Sequence, residues 1–108
     1  MMKDLFKKQL DQQIKVYGFD YNLTEPQRLE WGRHYAVRCI GELYEVLKEL
    51  NIDFQTKQNR VFNRTKLIEE LVDVFKFWIN ICLVYDITTE EIEYMFDYKS
   101  KSNEGKLK

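Results

Sequence analysis

Apolar residues recur along this chain at intervals of three and four, and Val/Ile/Thr-rich alternating segments are absent. That periodicity belongs to helices rather than strands. It predicts a first helix over about 3–17, a loop from Gly18 to Leu23, and a second helix over about 25–50. Thr24 with Gln27 three residues on, and Pro26 in the first turn, mark the second start. A polar connector from Asn51 to Arg64 leads to a third helix over about 65–85. Asp86 and Ile87 then precede Thr88-Thr89-Glu90-Glu91, whose Thr-x-x-Glu spacing opens a fourth helix to about residue 100. Residues 1–100 are expected to form a single all-α domain, and the polar tail 101–108 to stay loose unless a substrate orders it.

The faces of the middle helices differ. On the second, Leu29, Ala36, Ile40, Leu43, Leu47 and Leu50 share a stripe expected to face a core, with Glu42, Glu45 and Glu49 opposite. The third runs through Val72, Val74, Phe75, Phe77, Trp78, Ile79, Ile81, Cys82, Leu83 and Val84 with almost no polar face, the pattern of a buried helix. Glu70, Asp73, Phe77 and Asn80 fall along one side of it. Trp78 points with Leu71, Phe75 and Cys82 toward the expected core, whereas Trp31 falls on the acidic side of the second helix.

Composition narrows the function. The 108 residues are 44% hydrophobic and 15% aromatic, enough to fold. Seventeen Lys plus Arg against eighteen Asp plus Glu leave a net charge of −1, so no broad field marks a partner nucleic acid or membrane surface. No segment reads as a signal peptide or approaches the roughly 20 apolar residues that span a bilayer, which makes the cytoplasm the default. Cys39 and Cys82 lie within helical patterns without metal-ligand spacing and read as reduced core thiols. His34, the sole histidine, reads as a surface residue.

The acids carry the chemistry. Glu42-x-x-Glu45 is followed, after 24 intervening residues, by Glu70-x-x-Asp73, and separations of three put each pair on one helix face. One such pair is commonplace on a solvated helix. A second pair entering a buried helix must take up protons or gather cations. Hard divalent ions are bound by such carboxylate sets, with substrate phosphate completing their ligands.

At these motifs the chain resembles the all-α nucleoside triphosphate pyrophosphohydrolases, which include the dimeric dUTPases and the MazG-like enzymes. GELYEVLKE, through Glu42, Glu45 and Glu49, and EELVDVFKF, through Glu70 and Asp73, are similar to the two metal helices of the dUTPase-like branch. The resemblance implies a four- to five-helix bundle completed by dimerisation, as a homodimer or homotetramer. It also implies two or more Mg²⁺, with Mn²⁺ as a substitute, held by Glu42, Glu45, Glu70 and Asp73. Lys99 and Asn103 match a Lys-x-x-x-Asn element that contacts nucleotide phosphates and sugar, with Lys106 beyond it. Phe96 stands where the family has Tyr, and Lys106 where it has Arg. Leu10-Asp11-Gln12-Gln13-Ile14 is similar to a base-recognition helix, although Lys7 occupies the place of a family Gln and Gln9 is displaced.

The expected reaction is dUTP plus water to dUMP plus diphosphate, a step that keeps the nucleotide pool clean. Glu42 and Glu45 are the catalytic candidates, Glu42 as base. Lys99, Asn103 and Lys106 would hold phosphates, and Phe77 and Asn80 would face the sugar or base. Arg60, Arg64 and Lys66 are lesser phosphate candidates beside their reading as a solvated loop and helix start. The alternatives are the same chemistry on dCTP or a purine nucleotide, and a non-catalytic helical module that binds a partner protein.

Overall fold

The computed structural model describes residues 1–50 and 61–107 of the chain, with side chains to 105. Four helices account for nearly all of these: α1 (Met2–Lys15), α2 (Glu25–Glu49), α3 (Arg64–Val84) and α4 (Thr89–Leu107). The described residues contain no strand.

Local chemistry sets most of the boundaries. α1 stops where Gly18 adopts φ 65°, which lets the Phe19 amide reach back to the Gln13 carbonyl at 2.9 Å and satisfy the last turn. Thr24 and Gln27 form the reciprocal capping box read from the sequence, at 2.9 and 3.3 Å. α3 opens one residue earlier than expected because Asn63 caps it, its side-chain oxygen accepting from the Lys66 amide at 3.1 Å. Asp86, at φ 53°, turns the chain out of α3, a conformation Asp tolerates better than most residues. Thr88 and Glu91 then cap α4 reciprocally at 2.9 and 3.2 Å. This helix does not end near residue 100. It continues to Leu107, since only Gly105 weakens the run and one such residue costs about 1 kcal/mol.

α2 and α3 run antiparallel. Arg28 meets Asp86, Tyr35 meets Phe77 and Cys39 meets Val74, so positions descend on α3 as they rise on α2. Gly32 lets the pair close at one end: a Cβ there would stand 3.0 Å from the Tyr85 ring. α1 lies along the C-terminal half of α3, where Phe6, Ile79 and Cys82 form the buried core with Met2, Trp78, Leu83, Ile87 and Ile92 packed around them. Phe6 meets Trp78 edge-on at 6.1 Å, which places Trp78 in the core as expected.

Two expectations about faces are corrected. The α2 stripe does not face the core: Leu29, Ile40, Leu43, Leu47 and Leu50 are 41–66% exposed. The opposite side, through Tyr35, Cys39, Glu42 and Val46, packs on α3. Nor is α3 buried all round, because Ile68, Leu71 and Val72 are each nearly half exposed. α1 is too short to cover the N-terminal half of α3, so that half keeps an open apolar side.

Candidate metal centre and adjoining cavity

The face of α2 that meets α3 carries Glu42, and the facing side of α3 carries Glu70 and Asp73. Each offers a carboxylate oxygen within 4.8 Å of those of the other two. Glu70 is buried at 8% exposure and bonded to Lys66 one turn earlier, at 3.3 Å. Burial, followed by the charges of Asp73, Glu70 and Glu45, pushes the Glu42 carboxyl above its ordinary range, and Arg38 opposes this only weakly. The Lys66 ammonium is held above its usual range by the hydrogen bond and charge of Glu70 and the charge of Glu69. Among the described residues, three carboxylates crowd this helix interface against Lys66, bonded to Glu70, and Arg38, whose charge acts on Glu42. A hard divalent cation fits that donor set.

Glu45 stands apart from the three. It lies on the same side of α2 but pairs with Lys48 at 3.7 Å, and contributes to the group through its charge on Glu42.

Asp73 also lines a half-open cavity of about 450 Å³ between α1, α2 and α3, within the range typical of small-molecule sites. Phe77 and Asn80 line it too. Asn80, only 3% exposed, accepts a 2.9 Å hydrogen bond from the Gln9 amide. Gln13 donates to the Tyr35 hydroxyl at 2.8 Å, and Lys76 donates to Gln12 at 3.0 Å. The wall is therefore amide-rich on the α1 side. On the α2 side it is aromatic: Trp31 stacks on Tyr35 at 5.7 Å and meets the Phe19 ring edge-on at 4.9 Å. The Arg38 guanidinium sits 5.5 Å from the centre of the Phe77 ring, between the aromatic wall and the acids.

These α2 residues are what reasoning from sequence passed over. Trp31, His34, Tyr35 and Arg38 recur at i, i+3, i+4 and i+7, one turn before Glu42 on the same side. That spacing could have found them. His34 is exposed as read, yet lines the cavity beside Trp31, 5.4 Å ring to ring. Trp31, on the acidic side of α2, is a cavity residue.

Lys99 and Asn103 are not brought to this site. Both are exposed on α4, which packs on α1 near its own start and does not approach the acids. The Lys106 side chain and Arg60 lie outside the described residues, and Arg64 is exposed at the start of α3.

Both cysteines are free, and burial raises each thiol above its ordinary range, with Glu42 adding to the effect at Cys39. Cys82 belongs to the core and Cys39 is half-buried at the α2–α3 contact. Among the described residues, no helix is long and apolar enough to cross a membrane. Compared with family models, curated proteins and solved structures, the chain matches none.

Proposed function

We propose that this chain is a magnesium-dependent nucleoside triphosphate pyrophosphohydrolase of the dUTPase-like kind, acting on dUTP to leave dUMP and diphosphate. The observation that carries the reading is the junction at Asp73, which belongs both to the three-carboxylate group and to the wall of the aromatic and amide-lined cavity. A nucleotide offers the matching parts: a flat base for the cavity and a polyphosphate for the cation-binding acids. The resemblance of the Glu-x-x-Glu and Glu-x-x-Asp segments to the all-α pyrophosphohydrolases supports it independently.

Glu42, Glu70 and Asp73 would hold the metal, with Glu45 joining once released from Lys48. Magnesium there would neutralise the triphosphate and lower the pKa of a coordinated water. Glu42 would take the proton of the attacking water as its oxygen bonds to phosphorus and the bridging P–O bond to diphosphate breaks. Arg38 is placed to hold a phosphate oxygen. Trp31 and Tyr35 stack on the base, and the Gln9 and Asn80 amides hydrogen-bond to its edge.

The open shape supports a homodimer. The Cα radius of gyration is 17.0 Å, against about 13 Å for a compact chain of this length, and the α2 leucine stripe needs a cover. The role that fits this chemistry is clearance of an unwanted triphosphate from the cytoplasmic pool.

The test is diphosphate release from dUTP, dCTP and the other common triphosphates, with and without Mg²⁺. Turnover of dUTP that disappears with chelator supports the reading. Activity on another base keeps the chemistry and changes the substrate, and no turnover of any triphosphate removes the enzyme.

A further inference from the structure

Lys76 is an unusual occupant of the cavity wall. Lysine heads are normally carried out to water on their flexible stems, and Asp73, one turn earlier on the same side of α3, is an acid within helical reach. Lys76 is instead half-buried, lines the cavity, and donates to the neutral Gln12 side-chain oxygen at 3.0 Å. That bond holds the ammonium at the seam of α1 and α3 and leaves hydrogens on it for a guest.

The other polar groups around it can adapt to what enters. Gln9 donates to Asn80 at 2.9 Å and Gln13 to the Tyr35 hydroxyl at 2.8 Å. A side-chain amide carries both a donor and an acceptor and can turn over, and a hydroxyl serves either way, whereas an ammonium only donates. Arg38, the other donor-only head in the cavity, lies over Phe77 on the side of the acids. A guest atom set against Lys76 must therefore be an acceptor. A carbonyl oxygen gains a charge-assisted hydrogen bond there, while an amino group loses its water and meets N–H groups it cannot pair with. A flat guest stacked on Trp31 and Tyr35 carries atoms of both kinds on its rim.

We infer that Lys76 sets the selectivity of the cavity, favouring bases that carry an exocyclic carbonyl oxygen over those that carry an exocyclic amine. Uracil and cytosine differ in this way at one ring position, as do hypoxanthine and adenine. In each pair the oxo member arises when oxygen from water replaces the amine and ammonia leaves. The substrate class is thus the deaminated triphosphates, and hydrolytic deamination is the class of reaction that supplies them. This rests on the reading that the cavity receives a nucleotide base, and adds to it the group that chooses between bases.

The test compares kcat/KM for dUTP with dCTP, and for dITP with dATP, in full-length wild type, Lys76→Gln and Lys76→Met, each checked for helicity and melting. Wild type is expected to favour the oxo member of whichever pair it turns over by roughly ten- to hundred-fold, the worth of one hydrogen bond from a charged donor. Lys76→Gln can accept as well as donate, and Lys76→Met keeps the apolar stem without a donor, so either should bring the ratio near unity. A lysine that only seats α1 through Gln12 would slow both members alike and leave the ratio unchanged in the variants. That result overturns the proposal, as does a wild type that favours the amino member. Wild type without turnover of any triphosphate defeats the proposed function, and calorimetric titration with deoxyuridine and deoxycytidine, which involves neither metal nor phosphate, then decides Lys76 alone. Tighter binding of deoxyuridine that Lys76→Met equalises supports it, and equal or absent binding by wild type overturns it.

Discussion

Glu42 on α2 and Asp73 on α3 face one another across the helix pair, and after burial itself the Asp73 charge does most to raise the Glu42 carboxyl above its ordinary range. A group raised in this way stabilises the fold fully below its unfolded value of 4.5, and that contribution is lost as pH climbs through the folded value. The magnesium-free chain is therefore expected to melt higher at about pH 5 than at about pH 7. Magnesium relieves the repulsion and flattens the dependence. A melting series across pH, with and without the ion, reads this directly.

Glu42→Gln removes the same repulsion at every pH. The apo variant should melt above wild type at neutral pH, while the added-magnesium shift shrinks and turnover falls by at least about 10²-fold, the usual scale for losing a general base. A variant that melts lower and keeps its magnesium response would place Glu42 outside the metal group.

Asp73→Asn acts at the junction of acids and cavity. Loss of the magnesium-induced melting shift together with about 10²-fold or greater loss of activity is expected, with the helical spectrum unchanged. Calorimetric titration with magnesium separates the binding defect from a folding defect.

Trp31→Ala and Arg38→Lys probe the cavity wall. Stacking on a base is worth about 1–3 kcal/mol per base, so Trp31→Ala should raise KM by roughly tenfold or more and leave magnesium binding intact. Arg38→Lys keeps the charge but loses the planar fork, and should lower kcat as well as kcat/KM. Steady-state kinetics on the preferred triphosphate tests both.

Tyr21 offers a prediction away from the site. Burial pushes its hydroxyl up to about 12, with the Gln13 side chain opposing and Tyr35 adding. Stability tied to its neutral form is present below 10 and lost between 10 and about 12. Tyr21→Phe removes the group that titrates, so the pH-dependent part of the stability above 10 should disappear. It should also reduce alkaline unfolding in that window, followed by circular dichroism.

The helices and most of their ends were legible because each rests on a local signal: Thr24 with Gln27, Thr88 with Glu91, and Gly18 at a turn with positive φ. The three central acids were legible from spacing alone. Faces were not. A leucine stripe on α2 reads as core whether its cover is the same chain or another, and periodicity does not say which. α4 ran past residue 100 because a polar sequence of adequate helix formers carries no stop signal. The cavity wall depends on Gln9, Gln13, Tyr35 and Asn80 meeting from three helices, and nothing in one segment announces a meeting.

Those meetings have a physical consequence. The Gln9–Asn80, Gln12–Lys76 and Gln13–Tyr35 bonds that seat α1 on its neighbours join residues that line the cavity. A guest that claims one of these amides competes with the joint, and a guest that bridges them tightens it. Filling the cavity and anchoring the N-terminal helix are thus a single equilibrium, and amide exchange along α1 is its gauge.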